Sequence, residues 1–203
     1  MRRFSSRILL AAASAALAAV LLIAGGLALW GSAYVHNTVQ GQLASQQIFF
    51  PPASAFAHAK AGSEIAPSMI PSVSQYAGQQ MLTGQQAEAY ADHFIAVHIQ
   101  EMGAGKTYSQ LSAESIAQPN NAKLAATVGT VFKGETLRSM LLNAYGWWKI
   151  SQIVYIVSLA LFGLAALAGL AAAYLLAFGR RPRTAGRVTQ PGDHESITPA
   201  TTA

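Results

Sequence analysis

ILLAAASAALAAVLLIAGGLAL, residues 8–29, and ISQIVYIVSLALFGLAALAGLAAAYLLAFG, residues 150–179, decide the fold of this 203-residue chain. Neither stretch contains a charged residue. About 20 apolar residues cross the hydrocarbon core of a bilayer as a helix, so either run is long enough to span. The expected fold class is an all-α membrane protein: two transmembrane helices extended outward, with a small helical extracytoplasmic domain between them. Composition sets the boundaries. A basic cytoplasmic N-terminus covers 1–7, transmembrane helix 1 covers 8–34, and the extracytoplasmic helical domain covers 35–146. Transmembrane helix 2 follows at 147–179, and a disordered cytoplasmic tail rich in Pro, Thr and Gly at 180–203.

Charge orients the chain. Arg2, Arg3 and Arg7 precede the first run, and Arg180, Arg181, Arg183 and Arg187 follow the second. Basic residues near span ends stay on the cytoplasmic side, so both termini are expected inside and the middle outside the plasma membrane. Between the runs, acids and bases nearly balance, and the net charge of +5 belongs to the two ends. No nucleic-acid partner is expected, because such a protein gathers its charge on a folded face. Anionic lipid headgroups suit these ends better. Trp30 and Tyr34, with Trp147, Trp148 and Lys149, are expected to anchor the outer ends of the spans at headgroup level, Lys149 reaching outward to water. Phe4, Tyr174 and Phe178 mark the inner ends. A cleaved signal peptide is the alternative for the first run. Its apolar core exceeds the ~7–15 residues of signal peptides, which favours a retained span. Cysteine is absent, so no disulfide holds the outer domain.

Helical periodicity continues outward from the first span through Val35, Val39, Leu43 and Ile48, with an end expected near Gln47, ahead of Pro51-Pro52. Residues 51–75 read as an irregular crossing segment whose Ile65, Met69, Ile70 and Val73 lie against a helical surface. Thr83-Gly84-Gln85-Gln86 fits a capping box that opens a helix running to about Met102. Its apolar stripe is Ala87, Ala91, Phe94, Ile95, Ile99 and Met102, and it stops at Gly103-Ala104-Gly105. A short helix is expected at 112–118. From about Asn121 one long helix merges with the second span, with a kink expected near Gly134. Within the spans, Ala11 with Ala15, and Ala165, Gly169 and Ala173, offer small residues four apart for close helix approach.

Chemistry is sparse. His93 and His98 stand five positions apart, about 140° around a helix, and do not converge on one metal. His98 with Glu101 is the candidate pH-sensitive or polar core pair. Glu88 with Asp92 reads as a solvated face. Gly103–Thr107 resembles a phosphate loop but lacks its first glycine, since position 100 is Gln100. No nucleophile signature occurs, neither run holds an ionisable residue, and no catalytic, metal or cofactor site is expected.

The strings YAGQQMLTGQQAEAYADHFIAVHI (76–99), GKTYSQLS (105–112) and GETLRSMLLNAYGWW (134–148) resemble those of uncharacterised two-span membrane proteins of high-GC actinobacteria. The resemblance implies a plasma-membrane location and no catalytic residue. The expected function is that of a non-enzymatic accessory or scaffold subunit. GQQMLTGQQ and TYSQ would offer a hydrogen-bonding surface to a membrane-protein partner or a second copy, with the lipid bilayer as the remaining partner. The alternative is an extracytoplasmic ligand or pH sensor acting through a partner protein.

Overall fold

The computed structural model describes residues 6–178. Arg2, Arg3, Phe4, the four arginines at 180–187 and the tail at 180–203 lie outside the described residues. Two helices frame the molecule. α1 spans Ser6–Ser45 and α7 spans Ala122–Ala177. At 1.5 Å per residue, these 40 and 56 residues make rods of about 60 Å and 84 Å. Both are long and apolar enough to cross a membrane. Among the described residues no strand forms; the one β-bridge joins Phe49 to Gln80.

α1 and α7 pack antiparallel along a seam with a seven-residue period. The buried positions of α1 include Ala11, Ala18, Gly25, Ser32 and Val39, and those of α7 include Ser151, Ser158, Ala165 and Ala172. Half-buried Ser14, Leu21, Ala28 and Val35 fill the alternate positions on α1, as Val154, Leu161, Ala168 and Leu175 do on α7. Ser32 Oγ donates to the Ser151 carbonyl at 2.7 Å and fixes the register. Steps of seven from that bond set Gly25 opposite Ser158, Ala18 opposite Ala165 and Ala11 opposite Ala172. A seven-residue repeat keeps two helices in contact through a left-handed supercoil. The residues that make the close approach are small and include Ala11 and Ala165, but their partners four residues on do not join them. Ala15 and Ala173 are exposed and Gly169 is only half-buried. A straight α-helix drifts off a four-residue row sooner than off a seven-residue one.

Beyond the apolar halves, both rods continue into a head built from the intervening chain. α1 ends at Ser45, ahead of the prolines, because Gln47 turns into the left-handed region with φ 52°. The freed Ala44 carbonyl then accepts a hydrogen bond at 2.9 Å from Gln80 Nε2, 36 residues along the chain. Residues 48–51 run beside 78–81: Phe50 N–H donates to Gln79 O, Met81 N–H to Ile48 O and Gly78 N–H to Pro51 O. The crossing segment forms four short pieces, α2 at Ala53–Phe56, a tight turn at Pro67–Met69, α3 at Ile70–Val73 and a second tight turn at Ser74–Tyr76. Its Ile65, Met69 and Val73 are buried in the head core.

Thr83 and Gln86 form the capping box that opens α4, Gly84–Tyr90. The helix continues through a π-helical turn, Ala91–Ile95, into α5, Ala96–Met102. Of the expected stripe, Ala87, Ala91, Ile95 and Ile99 are buried, Phe94 is half-buried and Met102 is exposed. The stop comes from Ala104 and Gly105, with φ 51° and 78°. α6 starts at Tyr108, four residues earlier than its sequence suggested, because Thr107 and Gln110 make a second capping box. α7 is an unbroken helix through Gly129, Gly134 and Gly146.

Candidate functional site

α4, the π turn and α5 carry an aromatic ladder along one face. The Tyr90 and Phe94 rings stack at 4.6 Å, and Phe94 meets the His98 imidazole at 4.6 Å. Four-residue spacing puts successive rings one above another. The ladder walls a groove of about 380 Å³, whose opposite wall is Gly134 and Leu137 of α7 and whose rim carries Glu64. Gly134 is there because α5 comes close: a Cβ on it would lie 2.8 Å from Ile99 Cγ1. The lining is chiefly apolar.

His98 Nδ1 lies 2.8 Å from the Phe94 carbonyl. A carbonyl only accepts, so Nδ1 carries the proton and, in the neutral ring, Nε2 keeps its lone pair. Burial, and secondarily the Glu64 charge, push the Tyr90 phenol above its ordinary pKa. The phenol therefore stays protonated and presents a neutral ring. On the far side of the π turn, Asp92 Oδ1 accepts from the Arg138 guanidinium at 2.7 Å, with Glu135 at 3.5 Å from the same group. The hydrogen bond to Asp92 raises the Arg138 pKa, against burial, which lowers it. A π turn adds a residue to the helix, and such turns recur at functional sites. Here it lets one helix offer Asp92 to α7 while its ring ladder lines the groove.

The expected pair of His98 and Glu101 is not brought together. Glu101 is exposed, and among the described residues no ion pair joins it to His98. Two helical positions three apart lie on one face, but their side chains meet only when both turn toward each other, and His98 turns back to Phe94 O. His93 is exposed, and among the described residues no group of three His, Asp or Glu converges as metal ligands would. Lys106, in the loop likened to a phosphate site, is taken by Glu114 through two bonds of 2.7 Å.

Of the aromatic residues expected at headgroup level, Trp30, Tyr34 and Trp147 are exposed, and Trp30 stacks on Tyr34 at 5.8 Å. Lys149 is exposed with its ammonium 5.6 Å from the centre of the Tyr145 ring. Trp148 differs. It is buried, 3.9 Å from the His36 imidazole, and packs on Gly84, where a Cβ would overlap its own Cβ. The reason is its place on α7: Trp148 lies seven residues after buried Leu141, on the face that meets His36 of α1 and Gly84 of α4. It thus joins α1, α4 and α7 and is buried within the protein.

The glutamine-rich segment is also spent internally. Gln80 caps α1, and buried Gln86 accepts from Leu82 and Thr83 amides and donates to Gln79 Oε1 at 3.1 Å. Thr107 and Gln110 cap α6. These groups offer little to a partner. Taken singly, Glu64, Tyr90 and Leu137 carry no signal of a site in the sequence, and Gly134, where a kink was expected, instead admits Ile99 of α5. The spacing of Tyr90, Phe94 and His98 was a readable signal, whereas the approach of Glu64 depends on the crossing segment. No protein-family model, curated protein or solved structure matches this chain.

Proposed function

We propose that the chain is an integral plasma-membrane protein with both termini cytoplasmic and the head outside, acting as a non-enzymatic accessory or scaffold subunit. The observation that carries this reading is the coat of exposed apolar side chains around the paired halves of α1 and α7. Leu9, Ile23, Leu27, Ile156 and Leu170 are each 60–67% exposed. A surface of that size needs a cover, and a bilayer supplies one to two helices of this length. The head shares its core with the same two rods, so a partner seated on it is held at a fixed height and angle. Exposed Phe132 and Met140 of α7 and Ile116 of α6 give the head apolar contact points.

Single cysteines test the topology, since the described residues hold no other thiol. Ser63→Cys and Ser109→Cys should react with an impermeant maleimide in intact cells, and Thr189→Cys should not; the reverse pattern overturns the orientation. Cross-linking in native membranes tests the role: a stable heteromeric complex that forms without small molecules supports it.

A sensor is the second reading, favoured by one feature. The groove is walled by Gly134 and Leu137 of α7, the helix that also forms the second apolar run. A ligand there would bear on that helix by differential affinity for two of its positions. Ligand-dependent stabilisation with no protein partner would replace the scaffold reading with this one.

A further inference from the structure

The charged and accepting groups of the groove favour positive charge. Glu64 places a carboxylate on the rim, and among the described residues no basic side chain lies within 4.0 Å of it in an ion pair. His98, with its Nδ1 proton committed to Phe94 O, keeps an acceptor and no free donor in its neutral form. Tyr90 and Phe94 contribute two aromatic rings to the wall, and a cation within about 6 Å of such a ring is attracted by its quadrupole. The nearest guanidinium, Arg138, is bound to Asp92 and Glu135. The rest of the wall, Ile99, Met102 and Leu137, is apolar. A cavity of about 380 Å³ falls within the ~300–1,000 Å³ usual for small-molecule sites.

We propose that this groove binds an amphipathic organic cation. Its ammonium sits between the Glu64 carboxylate and the Tyr90 ring, and its apolar part lies along Phe94 toward Met102 and Leu137. The proposal goes beyond the scaffold reading and does not depend on it: a protein partner can be present or absent with the groove occupied. An anionic ligand is disfavoured because no unpaired cation faces it. A wholly apolar ligand would leave the carboxylate desolvated without a partner, at a cost.

The test uses the full chain in maltoside micelles, whose headgroups are uncharged, with protein-free micelles as the blank. Three probes of one shape are titrated by calorimetry: phenylbutyl-trimethylammonium, its neutral analogue with carbon in place of nitrogen, and phenylpentanoate. The cation should bind at least tenfold more tightly than the neutral analogue, and phenylpentanoate should bind most weakly. Glu64→Gln, at an exposed site, should erase the preference for the cation and leave the neutral analogue unchanged. Phe94→Leu should weaken both. Equal affinity for cation and neutral analogue, cation binding that survives Glu64→Gln intact, or no saturable binding at all would overturn the proposal. A heteromeric complex that persists in Glu64→Gln would show the two proposals to be separate.

Discussion

The seam between α1 and α7 and the core of the head solve opposite packing problems with the same two helices. In the apolar half of the seam, from Ala11 to Ser32 and from Ser151 to Ala172, the buried residues are Ala, Gly and Ser, and contact is made by bringing backbones close. In the head most are Leu, Ile, Met, Val, Phe and Trp, and contact is made by filling volume between rods and crossing segments. The chemistry of the surroundings explains the difference. In the proposed bilayer setting of the seam, burying a large apolar side chain gains little, and close approach plus hydrogen bonds such as Ser32–Ser151 supply the attraction. In water, each apolar Å² removed is worth about 25 cal/mol, so large side chains go inside. The changeover falls at Trp148, three residues before Ser151, which packs on both α1 and α4 and belongs to the head core.

Shrinking should therefore hurt the head, and enlarging should hurt the seam. Trp148→Ala empties the meeting point of α1, α4 and α7 and should cost about 3–5 kcal/mol, read as a lowered denaturation midpoint of the full chain in micelles. A loss under about 1 kcal/mol would mean that the junction collapses freely around the smaller residue. Gly84→Ala pushes a methyl into the Trp148 side chain and should cost about 1–3 kcal/mol. Ala165→Leu, the enlarging change in the seam, should cost a similar amount, about 1–3 kcal/mol. Ala166→Leu, one residue on and exposed, should stay within about 0.5 kcal/mol. Equal effects at 165 and 166 would erase the seam. Asp92→Asn weakens a pair whose side chains are about one-third exposed and should cost under about 1 kcal/mol, with part of the effect screened by salt. Opposite in sign is Gly129→Ala, where a Cβ meets nothing within 4 Å; it should raise stability by about 0.5–1 kcal/mol through helix propensity.

The fold was largely written in local signals. Two uninterrupted apolar runs gave α1 and α7, and Thr83 with Gln86 gave the start of α4, because a capping box is closed by residues three apart. The Thr107–Gln110 box carried the same information about α6 and was overlooked. What stayed hidden depends on distant partners. The end of α1 at Ser45 is secured by Gln80 from across the head. The π turn at Ala91–Ile95 is tied to Arg138, 46 residues beyond Asp92. Trp148 reads as a membrane-interface residue by composition and as a core residue only by its phase relative to buried Leu141. The groove was half legible: its ring ladder has helical spacing, while Glu64 and Gly134 arrive from other segments. Small residues four apart were the misleading cue in the spans, since the period that keeps two long helices in contact is seven.

Paired cysteines test the seam most directly, because this chain has no cysteine of its own. Ala18→Cys with Ala165→Cys, and Ala11→Cys with Ala172→Cys, should each be joined within one molecule by a short thiol cross-linker in native membranes. The joined form would be seen as loss of maleimide mass-tagging without a dimer band. Ala16→Cys with Ala166→Cys, at the same height but on exposed faces, should remain open. Joining of the exposed pair with the two buried pairs left free, or cross-links found only between molecules, would contradict an antiparallel seven-residue seam.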